Sequence, residues 1–142
     1  VAGVAGAVAV ATSGVATAAT GPTITVKAIE TSYHFQKDTP PKKVLNPGDK
    51  MLFTEKLMQN NKQVGTDKII ETFQKNDVLI DGIWTFTFGS KGTLHVHGLL
   101  TSSGTGSVSL PVVGGTGAFV GKKGALTVTS HDSYETEAFH LR

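Results

Sequence analysis

The chain has no cysteine, which excludes disulfides, thiolate metal sites and cysteine nucleophiles. It is also poor in charge: 17% of its 142 residues are Asp, Glu, Lys or Arg, against ~25% in an ordinary soluble domain. Thirteen basic and eleven acidic residues nearly cancel, leaving +2, and no basic cluster marks a nucleic-acid footprint. Lys42-Lys43 and Lys122-Lys123 are isolated pairs that suit solvated turns. No segment carries a convincing helical period, which sets helical bundles aside. Long runs of Leu, Ile and Phe are missing too. The uncharged stretch Val1 to Thr20 consists of Val, Ala, Gly, Ser and Thr, too weakly apolar for a membrane span. Within it, Ala16-Thr17-Ala18 has the small-x-small pattern of a signal-peptidase site. Residues 1–20 are therefore expected to be a signal-peptide remnant, cut near Ala18 or Ala19, or else a flexible N-terminal segment. The signal reading makes the protein secreted.

What the chain has in excess is glycine, 17 residues where ~7% would be usual, together with Thr and Val. That composition favours strands and tight turns. From Gly21 to Arg142 the sequence reads as one domain of consecutive strands. Thr23 to Thr31 is rich in β-branched residues. Thr39 to Asp49 carries three prolines and a glycine and reads as a loop. Met51 to Met58 is followed by the polar turn Asn60 to Gln63, then by Val64 to Thr66 and Lys68 to Phe73. After the break at Asn76-Asp77, Ile83 to Phe88 alternates strictly, with Trp84, Phe86 and Phe88 on one face. Gly89 to Gly92 is a hairpin signal leading into Thr93 to Leu100. Val108 to Val113, Ala125 to Thr129 and Tyr134 to Leu141 complete about eight strands at roughly 8–12-residue spacing, the pattern of an all-β sandwich or barrel. Closure of eight antiparallel strands would remove the edges and leave an interior for side chains or one small ligand.

Three features could carry chemistry. His95 and His97 share a strand face ~6.6 Å apart and could reach one Zn²⁺ with a third ligand from His34, His131, His140 or a carboxylate. The plainer reading is two metal-free histidines bonded to neighbours or water, and no metal is expected. The glycine run Gly114 to Gly121 has the wrong spacing for a dinucleotide fingerprint and suits a bend between strands. No G-x-S-x-G elbow is present. Glu55 and Glu71 are the informative pair. Alternation puts Glu55 on the face of Phe53 and Leu57, and Glu71 on the face of Ile69 and Phe73. A carboxyl on an apolar face is costly unless paired, and desolvation raises its pKa into the range useful for proton transfer. The alternative is a rim position bonded to Lys56 or Lys68.

Several segments together resemble the allene oxide cyclase and dirigent barrels. Gly48 to Leu57, followed by Gln63-Val64-Gly65-Thr66, is similar to their opening: a Gly-Asp, a Phe, an acid or amide, a Leu, a turn and a Val-Gly. Phe88 with Gly92 to Gly98 resembles the hairpin that follows. Leu110 to Phe119, continued by Gly121 and Gly124, is similar to the dirigent strand and bend. The likeness spans roughly residues 23–141. Bacterial spirotetronate cyclases, which catalyse an intramolecular cycloaddition, share the pattern and its acid-bearing first motif.

The resemblance implies a calycin-like eight-stranded antiparallel barrel that holds a hydrophobic small molecule without a cofactor; taken with the signal reading, a secreted bacterial member is expected. It also implies a homo-oligomer, a trimer as in plants or a dimer as in the cycloaddition enzymes. Glu55 stands where the cyclases have a functional Asn and dirigent proteins an Asp. Glu30 matches a functional Glu of the first strand, with Ser32 at the following amide. Glu71 falls at a cyclase cysteine and Leu100 near a tyrosine, departures that argue against true allene oxide cyclase activity. The expectation is a cofactor-free cyclase, isomerase or stereochemical guide with Glu55, Glu71 and Glu30 as catalytic groups. Phe53, Trp84, Phe86, Phe88 and Leu100 would line the ligand if they face inward. The alternatives are a non-catalytic carrier of a lipophilic molecule and a structural barrel with a filled interior.

Overall fold

The computed structural model describes residues 23–42, 44–75, 79–101 and 106–142. The proposed signal segment, residues 1–20, lies outside them. Eight antiparallel strands follow in order: β1 (Thr23–Lys37), β2 (Lys50–Gln59), β3 (Lys62–Lys75), β4 (Leu79–Thr87), β5 (Thr93–Thr101), β6 (Ser107–Gly115), β7 (Gly124–Ser130) and β8 (Glu135–Leu141). Each pairs with its chain neighbour, and β1 pairs with β8, closing a barrel in sequential order. Two short 3₁₀ turns, Gly89–Lys91 and Gly117–Phe119, lie beneath one end. Among the described residues no helix is long and apolar enough to cross a membrane.

Strict alternation of side chains decides which residues fill the barrel. Strand β2 reads Met51, Phe53, Glu55 and Leu57 inward, with Leu52, Thr54, Lys56 and Met58 between them facing out. Trp84, Phe86 and Phe88 are likewise buried and inward, so this aromatic face is wall rather than outer surface. The lower end is closed by an aromatic cluster. Phe86 meets Phe139 edge-on at 4.8 Å, and Phe88 contacts Phe139 at 5.8 Å and Phe119 at 5.5 Å. The turn between β2 and β3 needs two residues, not four: Asn60 and Asn61 adopt φ of 51° and 61°, a left-handed pair that asparagine tolerates. Strand β3 then runs unbroken through Gly65 and Asp67, where the sequence suggested two pieces. Gly65 is needed there because a Cβ would overlap the carbonyl oxygen of Thr87.

Two local devices shape the other end. A bulge at Thr31 interrupts the β1–β2 ladder between Glu30↔Glu55 and Ser32↔Thr54. The extra residue shifts the parity of β1, so Val26, Ala28 and Glu30 share the inner side below it while Tyr33, stacked on Phe53 at 6.3 Å, takes that side above it. Asp49 organises the loop before β2. Its carboxylate accepts bonds from the Thr39 hydroxyl (2.7 Å) and from the amides of Thr39 (2.9 Å) and Asn46 (3.0 Å). Thr39 and Asn46 hold its pKa down at about 2.

Candidate functional site

The interior above the aromatic plug is acidic. Glu55 on β2, Asp67 and Glu71 on β3, and Glu135 and Glu137 on β8 are all buried inside the barrel. Glu30 on β1 stands half-buried opposite Glu55. The strands explain this convergence. Glu55 pairs across the ladder with Glu30 on one side and Asp67 on the other, while closure of β8 onto β1 brings Glu135 beside Ala28 and Glu137 beside Val26. One oxygen from each of Glu55, Glu135 and Glu137 lies within 4.8 Å of the others. That spacing would suit a hard cation.

No buried basic side chain accompanies these acids among the described residues. Seven of their buried oxygens have no protein donor: one each on Glu30, Glu55 and Glu71, and both on Asp67 and Glu137. Burial therefore favours the neutral carboxyls. It pushes Glu55 up to about 7, with Glu30 adding repulsion and a bond to Asp67 working the other way. Glu71 and Glu135 are raised to about 8, by burial first and then by the charge of Glu55. Glu137, wholly enclosed, and Asp67 are raised well above the carboxylate range by burial and by their acidic neighbours. Glu55 and Asp67 are direct neighbours across the β2–β3 ladder, burial raises both, and the pair titrates as a unit.

The structure thus brings Glu55, Glu71 and Glu30 into one interior cluster, and adds Asp67, Glu135 and Glu137. The same alternation rule that singled out Glu55 finds the added residues: Asp67 leads the inward series Ile69, Glu71 and Phe73, and Glu135-x-Glu137 leads Phe139 and Leu141. Phe53, Trp84 and Leu100 are inward and buried, whereas Phe86 and Phe88 belong to the aromatic plug. Ser32 does not join the acidic cluster, since its hydroxyl meets Thr54 on the outer surface at 2.5 Å. The histidine pair also faces outward. His97 contacts Asp81 at 2.7 Å and His95 contacts the Thr93 hydroxyl at 3.1 Å. A separate hollow of about 340 Å³ opens at the lower end between Ile24, Val64, Phe88 and Phe119.

A closed sequential barrel of eight antiparallel strands is the fold of the dirigent and allene oxide cyclase-like group. Solved structures of that group match the fold. A pyocyanin demethylase superposes with a TM-score of 0.72 over 85% of this chain and 100% of its own, at 23% identity. The pterocarpan synthase dirigent protein PsPTS1 gives 0.63 over 85% and 96%, at 21% identity. The Diels–Alderase AbmU from Streptomyces koyangensis gives 0.64 over 85% and 68%, at 15% identity. No family model and no curated protein matches the chain.

Proposed function

We propose that the protein is a cofactor-free cyclase, isomerase or dirigent-like guide that encloses a hydrophobic small molecule and moves a proton on it with the interior carboxyls. The observation that carries this reading is the Glu55–Asp67 pair. A carboxyl with a pKa of about 7 is poised to give or take a proton at neutral pH, and it stands across the ladder from a second buried acid whose burial favours its neutral form. Glu71 and Glu30 are the supporting groups, and Phe53, Trp84 and Leu100 provide the apolar surface that fixes the conformation of a reactive molecule. The fold neighbours named as a pterocarpan synthase, a Diels–Alderase and a demethylase support chemistry in this barrel rather than mere packing.

Export and self-association belong to the same proposal. Export rests on residues 1–20, and N-terminal sequencing of the protein from its native host tests it. Self-association rests on an outward apolar row that crosses the barrel wall in register, Leu52↔Ile70↔Ile83.

Native mass spectrometry of host-purified protein identifies a retained molecule and the subunit number together. Once that molecule is in hand, Glu55→Gln is expected to keep its binding and to lower turnover by ~10²–10⁴-fold. Unchanged turnover in that variant removes Glu55 from the chemistry. Retention without turnover in the unmodified protein favours the carrier reading.

A further inference from the structure

Among the described residues the barrel wall has a weak seam between β5 and β6. Strands β5 and β6 are registered at Leu94↔Gly115, His95↔Gly114 and Val96↔Val112, with a register shift after His95, and among the described residues the ladder then stops. On its other side β5 stays paired with β4 as far as Thr101, and β6 stays paired with β7 as far as Ser107. Two residues explain the break. Pro111 has no N–H to donate to a ladder. Gly98, which continues the register opposite Leu110, has no side chain for cross-strand packing. Above Val96 this seam is held by side-chain contact, chiefly that of Leu110, whose Cδ2 lies 2.7 Å from where a Cβ on Gly98 would stand.

Behind the seam lies a strip of bare backbone. Gly98 pairs with Gly82 on β4, and Gly82 pairs with Glu71 on β3, all three on the inner face. The Trp84 indole lies across Gly82, where a Cβ would overlap its six-membered ring. A line drawn around the wall from the seam therefore passes two glycines, one with Leu110 and Pro111 against it and the other with Trp84, and ends at Glu71. That carboxyl is 2% exposed and keeps one oxygen without a donor.

We propose that small molecules enter the barrel sideways, between the upper halves of β5 and β6, and that Leu110 and Trp84 are the side chains that decide which molecules pass. Displacing Leu110 parts two strands that no ladder holds. The opening is a slot, not a round mouth, so it selects flat molecules presented edge-on. A hydrogen-bond donor on the leading edge meets the free oxygen of Glu71. The purpose of this entrance rests on the interior being the ligand site. Its existence does not, and the experiment reads the entrance itself.

The chain supplies its own reporter, because Trp84 is its single tryptophan and it has no cysteine. Leu99 and Ser109 are the outward positions that continue the seam register. A Leu99→Cys/Ser109→Cys variant can be locked by oxidation and released by reduction. Acrylamide quenching of Trp84 fluorescence is expected to fall roughly threefold or more on locking and to recover on reduction, because local opening of the weakest seam limits access. A control lock at Thr127→Cys/Ala138→Cys, on the fully paired β7–β8 ladder, is expected to leave quenching unchanged, and Leu110→Ala to raise it. Equal quenching in the locked and reduced seam variant overturns the proposal. Amide exchange on the unmodified protein provides a second test that needs no variant. Above Val96, β5 amides that point toward β6 rather than toward the intact β4 ladder, exchanging as slowly as those of Thr127 and Val128, overturn it, and faster exchange confined to the seam supports it.

Discussion

Glu71 stands between Ile69 and Phe73 on the inner face of β3, 2% exposed and with no cation near it among the buried residues. Its pKa of about 8, against an unfolded value near 4.5, means that the folded chain keeps a proton that the unfolded chain releases. The folded state thus loses ground as pH rises from about 4.5 to about 8, by on the order of 4 kcal/mol for this one group. Glu71→Gln removes that titration. It is expected to raise the denaturant midpoint clearly at pH 8 and to change it little at pH 4, where both states are protonated. Chemical denaturation at the two pH values checks this, and equal effects at both would remove the buried acid from the account. Glu71 was legible in the sequence because a carboxyl in period with Ile and Phe is conspicuous. Glu135 and Glu137 obeyed the same rule, but nothing in their own segment says that they lie beside Glu55.

Strands and turns carry their own consequences. The Asn60-Asn61 turn holds both residues at positive φ, the geometry that matches the twist of a two-residue hairpin. Glycine reaches that region without a Cβ penalty. Asn61→Gly is therefore expected to be neutral or to stabilise slightly, while Asn61→Val, β-branched at φ 61°, should cost about 1–2 kcal/mol in thermal or chemical unfolding. Gly124 is a stronger case, with φ of 138° and no room for a Cβ against the carbonyl of His140. Gly124→Ala is expected to lower the melting temperature by more than the hairpin variant does. The unbroken β3 and the bulge at Thr31 were not readable from local pattern. Gly65 and Asp67 look like strand breakers in isolation. They are accommodated because β4 presents a backbone carbonyl to one and the barrel interior surrounds the other.

At the scale of the whole barrel, burial holds at least five carboxyls above their ordinary range. All have the same sign, so their effects combine. The protein is expected to melt highest near pH 4–5 and progressively lower toward pH 8.5, the reverse of a domain whose carboxylates are salt-bridged. A calorimetric pH series reads this directly, and a melting temperature that rises over that interval would contradict the acidic interior. On the outside, Ile83 is 44% exposed at the end of the row it forms with Ile70 and Leu52. If the chain self-associates through this row, as proposed, Ile83→Lys is expected to reduce the solution mass by light scattering to that of one chain, with the barrel still folded. An unmodified protein that already has the mass of one chain overturns self-association, and an oligomer that Ile83→Lys leaves intact moves its surface elsewhere.

The sequence alone determined that the chain is all-β and which residues share a face, because side chains on a strand repeat every two residues wherever that strand ends up. It therefore identified Glu55 and Glu71 as acids among apolar neighbours, and Trp84, Phe86 and Phe88 as one surface. Only the tertiary structure decided that these faces point inward, and that acids from the first, second, third and last strands meet in one buried cluster. Periodicity is local, whereas convergence depends on strand tilt, on register and on the closure of β8 against β1. The seam beside Pro111 belongs to the same category. A proline and a glycine in separate strands become a weakness in the wall only when the fold sets them side by side.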